Sequence, residues 1–121
     1  MKVFVSYNTQ GQRPDHFTLT KALILDADDG TLFEVPEGFA SDGASIPQLF
    51  QLALAPVSYD FPADVFHDYF YMNPSAYTRQ QIDRYWLEFM RRYNQKNRLR
   101  TWIKYRYVRA LGWYNWFYYR R

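Results

Sequence analysis

The hydrophobic pattern of this 121-residue chain changes its period once, and that change sets the fold class. Up to residue 35 the apolar residues come in short β-rich runs. These are Lys2 to Tyr7, the alternating Phe17-Thr18-Leu19-Thr20 continuing through Leu25, and Thr31 to Val35. Asp28-Asp29-Gly30, between the last two runs, is a hairpin signal, because glycine accepts the backbone conformation that tight turns demand. Pro36-Glu37-Gly38 then turns the chain. From Pro62 onward apolar residues recur at three- and four-residue spacings, the period of a helix.

Strands first and helices afterwards predict an α+β fold: a small N-terminal antiparallel β-sheet of about three strands, followed by three to four helices. A chain of this length supports one core, hence a single domain. Residues 1–38 are expected to be mainly β and 39–112 mainly helical, with 113–121 an aromatic, basic tail. Ser45 with Pro47 predicts a short helix to about Leu54, and Pro62 opens a second to about Met72. Thr78 with Gln81 three residues on is a capping-box pattern, starting a longer helix to about Tyr93. A last helix is expected over 99–111, ending near Gly112.

The residues exclude several chemistries. With no cysteine, there is no disulfide framework, thiol nucleophile or cysteine zinc site. His16 and His67 are too few for an all-histidine zinc centre. The start, Met1-Lys2-Val3-Phe4, does not read as a secretory signal, and no 18-residue apolar run predicts a spanning helix. Charge is divided along the chain. Residues 1–90 carry all 12 acidic residues and five of the 15 basic ones, a net of −7. Residues 91–121 carry the other ten bases and no acid. Such a basic segment either neutralises the acidic part of its own fold or meets an anionic partner.

One constellation carries chemistry. On the helix from Pro62, Asp64, His67, Asp68 and Tyr71 share an arc of roughly a hundred degrees, opposite Val65, Phe66, Tyr69 and Phe70. That arc is either a solvated face or an internal site. On the following helix Ile82, Trp86, Met90 and Tyr93 form an apolar stripe, and Asp83 projects beside it. A carboxylate buried there needs a partner, or it costs several kcal/mol or is protonated. The preceding helix offers His67; Arg79 and Arg84 compete. Paired to Asp83, His67 would keep one ring nitrogen free to take a proton. Tyr71 can hydrogen-bond Asp83 or serve as a core aromatic. Asp68, with Asp42 in the loop 40–45, could hold a hard cation. The set describes a cation-assisted hydrolase; Ser41-Asp42-Gly43 is equally an ordinary turn.

Val35 to Pro47, His67-Asp68-Tyr69-Phe70-Tyr71, and Arg79 to Asp83 with Met90 resemble a family of phage and prophage proteins catalogued as domain of unknown function 1353, over about residues 33–112. The resemblance implies a phage context, in the host cytoplasm or in the virion. More distantly, His67-Asp68-x-x-Tyr71 followed by Asp83 is similar to the active site of secreted and viral phospholipases A2. That similarity implies His67 as base, Asp68 as calcium ligand and Asp83 as the group that orients His67. The flanking disulfide and the glycine-rich calcium loop of those enzymes are not reproduced; residues 41–45 hold one glycine. A calcium-dependent esterase is one expectation. A noncatalytic structural or interaction protein of a phage particle, or of phage–host interference, is the other.

Residues 98–121 mix arginines with tryptophan, tyrosine and phenylalanine. Leu99, Ile103, Tyr107, Ala110, Tyr114 and Phe117 recur at helical spacing and predict the buried seam of a terminal helix. The same mixture suits a phage or host protein partner, or an anionic lipid surface. No motif supports nucleic-acid binding.

Overall fold

A computed structural model describes residues 5–7, 17–41, 61–93, 95 and 98–120. The chain is α+β; the described residues form five short strands followed by four helices around one core. The strands are β1 (Val5–Tyr7), β2 (Phe17–Leu19), β3 (Leu23–Asp26), β4 (Leu32–Val35) and β5 (Ala40–Ser41). The helices are α1 (Phe61–Met72), α2 (Arg79–Tyr93), α3 (Arg98–Leu111) and α4 (Trp113–Tyr118). The loop containing Asp42 and the helix expected from Ser45 lie outside the described residues.

Among the described residues the strands pair as two antiparallel sheets. β1, β2 and β5 form the first, in the order β1-β2-β5, and β3 and β4 form the second. The apolar run 17–25 looks continuous in sequence, but it breaks at residues 20–22. Phe39 and Gly38 take up the pairing of Leu19 from the other side, with Leu19 N–H donating to the Phe39 carbonyl at 2.8 Å and Gly38 N–H to the Leu19 carbonyl at 2.9 Å. The β3–β4 hairpin forms as its turn predicts. Leu23 faces Val35 and Leu25 faces Phe33, and all four are buried, while Ile24 and Glu34 between them are exposed. Gly30 adopts φ +89°, open to glycine without strain, and Asp29 accepts the Thr31 N–H at 2.9 Å.

The hairpin face and the helices share one core. Phe33 is its junction, with ring centroids 4.9 Å from Phe66, 4.8 Å from Tyr85 and 6.2 Å from Phe89, mostly edge to face. α2 starts at the capping box read from the sequence: Gln81 N–H donates to Thr78 Oγ1 at 3.1 Å, and Thr78 N–H donates to Gln81 Oε1 at 2.8 Å. Thr78→Ala is expected to cost about 1 kcal/mol, measured as a fall in the denaturation midpoint with unchanged slope.

α3 corrects the expected seam. Leu99, Ile103 and Ala110 are exposed or only partly covered and Tyr107 is half-buried; the buried face carries Thr101, Lys104 and Val108. Tyr114 and Phe117 are not buried either, and the expected tail 113–121 contains the short helix α4, which buries Trp116. α3 meets acids of the core through Lys104 and Arg109, which are turned inward. Gly112 lets α3 and α4 abut close to Tyr71. A Cβ there would stand 2.6 Å from the Val108 carbonyl oxygen and 3.1 Å from the Tyr71 hydroxyl.

Candidate functional site

α1 and α2 place the site because they cross with opposed directions. Asp64 meets Trp86, His67 meets Asp83 and Tyr71 meets Arg79, so numbers rise on one helix as they fall on the other. The polar arc of α1 is therefore internal. His67 and Tyr71 are fully buried, Asp68 is buried and Asp64 half-buried. The helix is covered on both sides, its apolar side by the hairpin and its polar side by α2 and α3.

Asp83 is the centre of this layer and has no exposed surface. Its Oδ1 lies 2.8 Å from His67 Nε2 and accepts the Tyr71 hydroxyl at 2.8 Å. Its Oδ2 accepts Arg109 Nη1 at 2.7 Å, with Arg79 Nη1 at 3.6 Å. Burial is the largest single influence and opposes ionisation. The hydrogen bond and charge of His67, then the hydrogen bonds from Arg109 and Tyr71, outweigh it, so the carboxyl is held below its ordinary value. Burial, then the charge of Asp83, push the Tyr71 hydroxyl well above its ordinary value, so it remains a donor. An ionised carboxylate only accepts, so the shared proton belongs to His67 Nε2.

The imidazole is held between rings, with centroids 4.1 Å from Tyr71 and 4.1 Å from Trp86, the latter nearly parallel at 29°. Its Nδ1 is buried and has no hydrogen-bond partner among the described residues. Buried polar atoms are normally satisfied, so this nitrogen, on an imidazole fixed by a carboxylate, is a departure from the rule.

Of the residues singled out from sequence, His67, Asp83 and Tyr71 come together. Asp68 is next to His67 on α1, and Asp42 lies outside the described residues. Among the described residues, no three His, Asp or Glu side chains are gathered as a metal site. Arg79 reaches Asp83 at the edge of ion-pair distance, and its guanidinium also donates to the Val108 and Arg109 carbonyls at 3.3 and 3.1 Å. Arg84 is exposed.

Two members were missed. Arg109 supplies the shortest ion pair to Asp83, and Lys104 Nζ lies 2.7 Å from Asp64 Oδ2. The charge division, which leaves the acids before residue 91 short of cations, signals a basic partner, but helical spacing does not single out residues 104 and 109. These pairs, with Arg92 against Asp28 at 2.9 Å and Glu88 at 3.2 Å, show the basic segment balancing acids of its own fold.

Searches against curated proteins and against solved structures found no match. The His67–Asp83–Tyr71 cluster, the hairpin that backs it and all but the end of α3 lie within residues 17–108. That stretch matches a family model described as Protein of unknown function (DUF1353), and the chain belongs to this family.

Proposed function

We infer that the chain is an ester hydrolase in which His67 is the general base and Asp83 its orienting carboxylate. The observation that carries this reading is the asymmetry of the imidazole: Nε2 is fixed on Asp83 at 2.8 Å, while Nδ1 has no partner among the described residues. Water placed at Nδ1 would lose its proton to the ring as it attacked the ester carbonyl, and the ring would return that proton to the leaving alkoxide. Asp83 would stabilise the imidazolium formed between the two steps. Tyr71 and Arg109 would keep Asp83 ionised and aimed. The phospholipase A2 resemblance implies the same two roles for His67 and Asp83, which supports this reading. Asp68, with Asp42, would hold a calcium ion, which when bound supplies positive charge for the developing oxyanion.

The test is hydrolysis of a short-chain fluorogenic ester and of phospholipid vesicles, with calcium and with chelator. The expected result is turnover by the wild type that falls by about a hundredfold or more in His67→Asn, at an unchanged far-ultraviolet dichroism spectrum. No turnover under any of these conditions, or full turnover by His67→Asn, would contradict it.

A specific observation favours a second reading. Asp83 joins α1, α2 and α3 through His67, Tyr71, Arg79 and Arg109, which is what a purely structural bolt would do. In that case the protein would be a noncatalytic part of a phage particle or of phage–host interference. The same substitution would then lower stability in a protein with no turnover to lose.

A further inference from the structure

We propose that the outer side of α3 and α4 is a docking face for an anionic lipid bilayer. The face is the side of these helices that the fold leaves uncovered. On α3, Thr101, Lys104 and Val108 point inward, and Leu99, Trp102, Ile103 and Arg106 lie on the opposite side at three- and four-residue spacings. On α4, Trp116 points inward, and Trp113 and Phe117, one turn apart, point out. Leu99 is 70% exposed and Phe117 61%. Large apolar side chains gathered on successive helices mark an interaction surface, since isolated ones would be unremarkable.

Charge selects the occupant. No acidic residue follows Glu88, so nothing on either helix repels an anionic surface. Arg98 and Arg106 are exposed along the edge of the apolar stripe, and the Arg106 guanidinium lies 5.9 Å from the Trp102 ring centroid, its stem beside the indole. Apolar rings with arginine heads beside them suit the boundary between acyl chains and charged headgroups. A second copy of the chain seated face to face would set arginines against arginines. Nucleic acid would leave Leu99 and Ile103, which do not stack on bases, without a role. No described helix is long and apolar enough to cross a membrane, so the contact runs along the surface.

The proposal does not rest on the hydrolase reading. Its test is cosedimentation of the full chain with vesicles of phosphatidylcholine alone, or of phosphatidylcholine with about 30 mol % phosphatidylglycerol. Expected are binding to the anionic vesicles, weak binding to the neutral ones, and loss of binding as salt is raised. The double variant Trp113→Ala, Phe117→Ala should bind at least roughly tenfold more weakly with an unchanged melting temperature, since both side chains are exposed. Arg98→Glu with Arg106→Glu should weaken binding to the anionic vesicles alone, and His67→Asn should bind as the wild type does. Absence of binding to anionic vesicles overturns the proposal, as does binding that the double variant retains. Duplex DNA binding, or a wild-type dimer that the double variant dissolves, would overturn it if vesicles were not bound.

Discussion

Asp83→Asn should destabilise the protein by about 3–5 kcal/mol, a large share of the roughly 5–15 kcal/mol that holds a domain of this kind together. The substitution is nearly isosteric, so the loss is electrostatic. An amide has one accepting and one donating end. If its oxygen faces His67 and Tyr71, its NH2 faces Arg109; if the oxygen faces Arg109, the NH2 meets two donors. Either way a donor is set against a donor at a side chain with no exposed surface. The wild type should also depend on acid in a way the variant does not. The folded carboxyl titrates below its unfolded counterpart. Its contribution is therefore fully present above the ordinary carboxyl range, near pH 4, and is lost as pH falls through the depressed folded value. Urea unfolding of both proteins from neutral pH downward measures this. The gap between them should be widest at neutral pH and close towards acid.

Phe33→Ala should cost a similar amount, about 3–5 kcal/mol, for an unrelated reason. Phe33 is 3% exposed and its ring lies against Phe66, Phe70, Tyr77, Tyr85 and Phe89. These rings come from α1, α2 and the segment between them, which are themselves packed and cannot collapse into the space left. The cavity term adds to the lost transfer energy. Because Phe66 stands one residue before His67, the same change should loosen α1 at the site. Thermal unfolding and amide exchange at residues 64–71 would report it. A destabilisation below about 1 kcal/mol would show that the hairpin is not bound to the helices as described.

The site is readable in the sequence where burial and charge conflict on one element. Asp83 lies beside Ile82, Trp86 and Met90, and a carboxylate in that position demands a partner on helical spacing alone. Tyr71, one turn after His67, follows from the same spacing. Arg109 and Lys104 do not, because α3 inverts the usual rule. Its apolar residues face out, and its inner side carries a lysine, a threonine and one valine, with an arginine at its edge. Periodicity finds an amphipathic face; it does not say which face is inside when the neighbouring helix presents carboxylates. The hairpin is legible from Asp28-Asp29-Gly30. The separation of the strands into two sheets is not, since the break at residues 20–22 interrupts the hydrogen-bond ladder rather than the hydrophobic pattern.

The central claim is that the His67 ring is fixed through one nitrogen on Asp83 and holds the other in reserve. Long-range nitrogen–proton correlation spectra of the imidazoles test it directly, with His16→Ala assigning the only other histidine. With the ring neutral, the account predicts a proton on His67 Nε2 that is protected from exchange, and an Nδ1 that carries none. A proton on Nδ1 with a bare Nε2, or an Nε2 proton exchanging freely with water, would contradict it.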